Sequence, residues 1–374
     1  MKSCLIIAGE KSGEEHALSF FPKLKEKNPQ LSFFGVGGDE LKSAGLELLY
    51  HLNDFSSWGY SEVLAKIPFY KKAMETIVAE AVKRNTKVAI LIDFQSFNLK
   101  LAGKLKEQGI AVQYYVAPQA WAWKEYRVKK LSETVHTLFT IIPFEKKWFQ
   151  ERGVKRVISI EHPQLTHHKK ILENFKRDHF DPKKVKVVLL PGSRNFEVNL
   201  LLADFIEAIN ILKKEIPIEL SIVKSSSVDA QLYRPFDDYF DKVYTNEELV
   251  VALKESDFAI AASGTVTLSC ALFELPTIVC YKSSLLNYFI YETVVSYRGP
   301  ISLANIVHNH SVFPELIQDG VSSFNIAAKF KLWYDKKHEY LKVREALHQT
   351  KKLVEGESVD VADYISDVIA KSYE

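Results

Sequence analysis

The sequence predicts an α/β protein with two Rossmann-like, doubly wound parallel-sheet domains facing a cleft. Three observations predict it. Short runs rich in Val, Ile, Leu and Phe alternate with helical patterns along residues 1–165, the rhythm of βαβ units with both sheet faces covered. Polar text then interrupts the rhythm over residues 163–183, with His167-His168-Lys169-Lys170 and Asp181-Pro182-Lys183. The alternation resumes beyond it, and 374 residues are enough for about two domains.

In the first domain, residues 1–165, the expected strands are Cys4–Ala8, Leu31–Gly35, Val88–Ile92, Val112–Val116, Thr137–Ile141 and Val157–Ile160. In the second, residues 166–355, they are Val185–Leu190, Glu219–Val223, Lys242–Tyr244, Phe258–Ala262 and Thr277–Cys280. Helices are expected near 197–214, 246–255 and 265–274. Residues 356–374 read as a last helix turning back toward the first domain. Ligands of such sheets sit at the carboxyl ends of the strands.

Composition narrows the class. Hydrophobic residues at 47% and charged residues at 26% are ordinary for a soluble globular chain. No apolar run reaches the ~20 residues of a membrane span. The opening Met1–Ala8 leads straight into Gly9-Glu10 and reads as a first strand, not a signal peptide. Cys4, Cys270 and Cys280 have no zinc spacing and read as reduced core residues of a cytoplasmic protein. Residues 1–165 hold 24 Lys and Arg against 18 Asp and Glu, and the rest of the chain 25 against 29. A basic first half suits an anionic partner, a membrane surface or a phosphorylated substrate. No recognition helix or aromatic RNA-binding motif points to nucleic acid.

The chain is organised around Val187–Arg194. A β-branched run ends at Pro191-Gly192, Ser193 and Arg194 follow, and a helical pattern opens at Asn195. A strand, a glycine turn and a helix start make an anion site, where Arg can hold two phosphate oxygens. The same text also reads as an ordinary βα turn with an arginine in solvent. Ala262-Ser263-Gly264-Thr265-Val266-Thr267 repeats the arrangement with small hydroxyl residues.

Other loops follow strands in the same way. Gly9-Glu10-Lys11-Ser12-Gly13 is neither a P-loop nor a dinucleotide fingerprint. It offers a close backbone approach to a ligand, or a simple turn capped by Ser12. Asp93 ends a buried run and stands where a general base would, or where it would cap the next helix. Pro118-Gln119-Ala120-Trp121-Ala122-Trp123 puts two indoles in one loop, either lining a cleft or filling space between domains. Asn305, Glu315 and Gln318 could address a sugar or base, or cap a helix.

Together these loops resemble the lipid-A-disaccharide synthase family, glycosyltransferase family 19. The resemblance rests on Ala8–Gly13, Phe34–Gly38, Ile92-Asp93 with Phe97-Asn98, Tyr115–Trp123, Pro143-Phe144-Glu145, Leu190–Arg194 with Glu197, Ala262–Leu268, and Asn305 with Pro314–Gln318. These run in family order over nearly the whole chain. The resemblance implies a GT-B fold and an inverting transfer. The donor would be UDP-2,3-diacylglucosamine, and the acceptor the 6-hydroxyl of 2,3-diacylglucosamine 1-phosphate (lipid X). It implies no metal and no cofactor. The first domain would hold the acceptor at Ser12, Gly13, Gln119 and Trp123, with Asp93 as base and Glu10 as a second catalytic carboxylate. The second would hold UDP-sugar through Gly192, Ser193, Arg194, Ser263, Gly264, Thr265, Thr267, Asn305, Glu315 and Gln318. Such substrates imply a cytoplasmic protein bound peripherally to the inner membrane. The candidate contact is Val63, Leu64, Lys66, Ile67 and Phe69, apolar residues beside lysines.

The chain departs from the family pattern at three places. Gln95 and Ser96 replace the Pro and Asp of Asp-x-Pro-Asp-Phe-Asn, Glu161 replaces the Gly of Gly-His-Pro, and Ser269 replaces the Glu of Thr-Leu-Glu. They leave room for another UDP-sugar enzyme of the same fold, such as an undecaprenyl-linked N-acetylglucosaminyl transferase or a sugar-nucleotide epimerase. They also leave room for a catalytically impaired lipid- or nucleotide-binding paralogue.

Overall fold

A computed structural model describes residues 2–55, 66–283, 297 and 299–374. It separates into two compact units, one of Met1–Pro163 with Gly356–Glu374, the other of Gln164–Glu355.

In the first unit the strands are β1 (Ser3–Ala8), β2 (Ser32–Gly37), β3 (Glu47–His51), β4 (Val88–Ile92), β5 (Ala111–Tyr115), β6 (Thr137–Thr140) and β7 (Val157–Ser159). They pair in parallel in the order β3-β2-β1-β4-β5-β6-β7. Alternate side chains of β1 serve opposite faces. Leu5 and Ile7 join one buried cluster, and Cys4, Ile6 and Ala8 the other. That is how a parallel sheet buried on both faces uses a continuous apolar run.

The second unit has β8 (Val185–Leu190), β9 (Ile218–Val223), β10 (Lys242–Tyr244), β11 (Phe258–Ala262), β12 (Thr277–Tyr281) and β13 (Glu315–Ile317). Its parallel order is β10-β9-β8-β11-β12-β13. Val185, Val187 and Leu189 face one core, and Val188 and Leu190 the other.

The sequence reading missed β3 and β13. Both sit at sheet edges and are less buried than the central strands, Leu316 alone being buried, so they carry only short apolar runs. The polar text after residue 163 begins as a helix where the chain passes from one unit to the other. Pro163–Leu172 is a helix that buries Leu165, His168 and Leu172, and its lysines lie on the exposed side. Chain connectivity changes units at 163/164 and again at 355/356. The last helix, Val361–Ser372, buries Ala362, Ile365 and Ile369 in the first unit. The Tyr373 hydroxyl donates to the Ser3 carbonyl at 2.6 Å and accepts the Ser3 N–H at 3.0 Å. All three cysteines are free and buried.

Candidate functional site

Each sheet reverses its winding direction once, between β1 and β4 and between β8 and β11. Loops part at such a reversal and leave a crevice beyond the strand ends. In the first unit, Ala8 lies opposite Ile92 there, so Glu10 and Asp93 follow the two strands that flank the crevice.

The Asp93 backbone is held hard. Asp93 (φ 46°) and Phe94 (φ 45°) are both left-handed, which costs about 1–3 kcal/mol each unless the surroundings impose it. Asp93 donates its N–H to the Tyr115 carbonyl at 3.0 Å. Its own carbonyl accepts from Tyr114 Oη at 3.1 Å and Asn98 Nδ2 at 2.8 Å. A side chain at Gly9 would meet the Phe94 ring at 2.8 Å, so the β1 turn passes close over this strained corner. Burial pushes the Asp93 carboxyl above the ordinary carboxylate range, partly offset by the Phe94 N–H. Glu10 is also raised, by desolvation first and the Asp93 charge second. The two carboxylates are therefore electrostatic neighbours. No side chain caps the helix Gln95–Glu107, so Asp93 is not its cap.

Ser12 does not cap the helix Lys11–Leu18 either. It lies inside that helix and is exposed, and Glu10 is the capping position without a side-chain bond. Gly13 is buried, and a Cβ there would lie 3.6 Å from the Ile92 carbonyl oxygen. Gln119 is exposed. Trp123 is 38% exposed, with Lys124 Nζ at 3.8 Å from its ring centre and the Arg127 guanidinium at 5.4 Å. Two residues were given no role by the sequence reading. Arg127 is buried and donates to Gln95 Oε1 at 2.5 Å and Ser96 Oγ at 3.4 Å, the positions where this chain departs from the family pattern. Glu145 is buried and receives the Trp121 indole N–H at 2.9 Å. Burial pushes it up to about 7. His162 is buried too, and desolvation takes it down to about 3, so it is neutral near pH 7.

The second unit carries an open cleft of ≈ 270 Å³ at the β8/β11 reversal. Gly192, Ser193, Arg194, Ser263, Gly264 and Thr265 all line it. So do Ser225, Asn246 and Leu249, which the sequence reading missed. They follow the carboxyl ends of β9 and β10, and the strand-end rule would have found them. Gly192 has φ +113°, a conformation side chains resist. No side chain caps the helix Val266–Leu272, whose first residue lies in the cleft wall. The helix Asn195–Leu212 is capped by Glu197.

Four proposed donor ligands have their polar atoms engaged within the fold and are not among the described residues that line this cleft. Asn305 is fully buried, accepting from the Val312 and Phe313 N–H groups and donating to Glu315 and to the Phe313 carbonyl. Glu315 also accepts the Ile301 and Ser302 N–H groups. Thr267 is buried and donates to the Gly264 carbonyl. Gln318 bonds to Ser283. Ser269 is buried, donating to Gln164 Oε1 at 2.9 Å.

Of the membrane residues, Val63 and Leu64 lie outside the described residues. Ile67 is 41% exposed, and Lys66 Nζ donates to the Asp54 carbonyl. Phe69 packs, partly buried, against the core of the first unit. It is half-buried with ring contacts to Tyr50 and Phe55 at 5.8 and 5.3 Å. Among the described residues no helix is long and apolar enough to cross a membrane, and no cluster of three metal-binding side chains occurs.

Residues 4–368 match the profile of the lipid-A-disaccharide synthetase family. The lipid-A-disaccharide synthase of Geobacter sulfurreducens is 32% identical over 378 residues, covering 98% of this chain and 97% of the relative. That of Syntrophus aciditrophicus is 34% identical over 341 residues, covering 88% and 87%. Among solved structures, the UDP-GlcNAc 2-epimerase of Neisseria meningitidis bound to UDP-GlcNAc superposes with a TM-score of 0.57 at 12% identity, over 100% of this chain and 99% of that one. The calicheamicin glycosyltransferase CalG4 gives 0.57 at 12% identity, over 99% and 98%. These two share the fold. The chain belongs to the lipid-A-disaccharide synthase family and is a glycosyltransferase of the GT-B fold.

Proposed function

We propose that this protein transfers 2,3-diacylglucosamine from UDP to the 6-hydroxyl of lipid X with inversion, giving a β-1,6-linked tetraacyl disaccharide 1-phosphate and UDP. The observation that carries the reading is the pair of sheet reversals. One presents a raised, backbone-clamped carboxylate at Asp93, the other an Arg194-lined cleft with an uncapped helix start.

The first unit would hold the acceptor. Asp93 takes the proton of the 6-hydroxyl as that oxygen attacks C1 of the donor sugar, and burial keeps the Asp93 carboxyl basic enough to do so, with Glu10 beside it as a second carboxylate. The C1–O bond to the β-phosphate breaks, and its electron pair leaves with UDP. In the second unit, the Arg194 guanidinium and the Ser263–Thr265 turn meet the charge that builds on the leaving diphosphate. No metal takes part in this scheme. The protein would visit the inner-membrane surface through Val63, Leu64, Lys66 and Ile67, since both substrates are anchored by acyl chains.

The test is UDP release. The protein mixed with UDP-2,3-diacylglucosamine should free UDP only when lipid X is added. UDP release at the same rate without lipid X would mean hydrolysis, and no release would mean a binding protein.

A further inference from the structure

Glu197 occupies a place that the sequence reserved for phosphate. Its Oε2 accepts the Ser193 N–H at 3.0 Å and the Arg194 N–H at 3.2 Å. Its Oε1 accepts from Arg194 Nη1 at 3.3 Å. The two amides are those that a strand–glycine–helix turn turns toward an anion. Here that anion is part of the chain.

The fit is tight on every side. A Cβ at Gly192 would come within 2.3 Å of Glu197 Oε2, so glycine is what lets the carboxylate lie over the turn. Ser193 is also held from behind, its carbonyl accepting from Ser227 Oγ at 2.9 Å. The Glu197 side chain is 13% exposed, whereas that of Arg194 is 70% exposed. A phosphate entering the amides would displace a carboxylate that has little solvent to move into. If it entered beside the carboxylate, it would face a like charge. The guanidinium has more N–H groups than its one bond to Glu197 uses.

We propose that Glu197 is a positioning residue for donor binding. Its carboxylate fills the amide nest of the Gly192–Arg194 turn, keeps the diphosphate out of it, and holds Arg194 so that its guanidinium meets the diphosphate instead. This rests on the reading of the β8/β11 cleft as the UDP site. The phosphates then lie between the Arg194 side chain and the Ser263–Thr265 turn.

The test is calorimetric titration of the full chain with UDP and, separately, with uridine, which lacks phosphate. Glu197→Ala should weaken UDP about tenfold, the scale of one charge-assisted contact, and leave uridine unchanged. Glu197→Gln keeps an acceptor oxygen and should fall between parent and Glu197→Ala. Adding Glu197→Ala to Arg194→Ala should weaken UDP no further, because the two act through one contact. UDP bound by Glu197→Ala as tightly as by the parent, or more tightly, would overturn the proposal and give the nest to phosphate. Additive losses in the double variant would overturn it too. If Glu197→Ala loses uridine as well, the turn has collapsed, and Glu197→Gln decides by the same UDP-to-uridine comparison. A parent chain that binds neither ligand overturns the donor-site reading itself.

Discussion

Trp121 Nε1 donates to Glu145 Oε1 at 2.9 Å, with the Phe144 ring edge-on to the indole at 5.1 Å. This bond joins the two-indole loop to the helix Glu145–Glu151. Glu145 is pushed up to about 7 by burial, above the value of a carboxyl in an unfolded chain. The folded state therefore binds more protons between roughly pH 4.5 and 7, and stability falls as pH rises through that window. Glu145→Gln keeps the acceptor for Trp121 and removes the titration. Denaturant melts at pH 5 and pH 8 should show the parent losing stability relative to the variant as pH rises. Parallel pH profiles would mean that Glu145 is ionised in the fold.

Asp93→Asn should lower kcat by roughly 10²–10⁴-fold with little change in melting temperature. A general base must be deprotonated, so parent activity is lost as pH falls. Because Asp93 is raised, that acid limb should lie above the ordinary aspartate range. A variant with near-parental turnover removes Asp93 from the chemistry.

Asn305 is a structural hub, and its loss should read as instability. Asn305→Ala leaves the Val312 and Phe313 N–H groups without their acceptor, at a cost of about 2–4 kcal/mol. UDP affinity below the melting transition should stay at the parental value. A stable variant with weakened UDP binding would return Asn305 to the donor site.

Membrane contact should separate from folding along the stretch that begins at residue 63. Serine at Val63, Leu64 and Ile67 together should abolish flotation with anionic liposomes and keep the melting temperature. Phe69→Ser should instead lower the melting temperature, because that ring contacts Tyr50 and Phe55. Flotation of the triple variant at the parental level would place the contact elsewhere.

Much of the fold was legible because a parallel sheet buried on both faces writes its strands as apolar runs. Val88–Ile92 and Val185–Leu190 were read at their observed bounds. β3 and β13 were not, because edge strands such as Glu47–His51, with exposed Glu47 at one end and His51 at the other, carry only a short apolar core. The site was legible where a special residue closes a strand, as at Asp93 and Gly192. It was not legible where polar residues look alike in sequence but differ in burial. Asn305 and Thr267 are buried while Thr265 is exposed, and only the three-dimensional surroundings distinguish them. The pairing of Glu197 with the amides of its own turn is a matter of side-chain geometry that spacing alone does not reveal.

The most direct measurement is product analysis after incubation with UDP-2,3-diacylglucosamine and lipid X, by mass spectrometry for composition and proton NMR for the anomeric linkage. The expected product is a tetraacyl disaccharide 1-phosphate with a β-1,6 bond, formed in step with UDP. Free 2,3-diacylglucosamine, an epimerised UDP-sugar, an α-linked product or no product at all would contradict it.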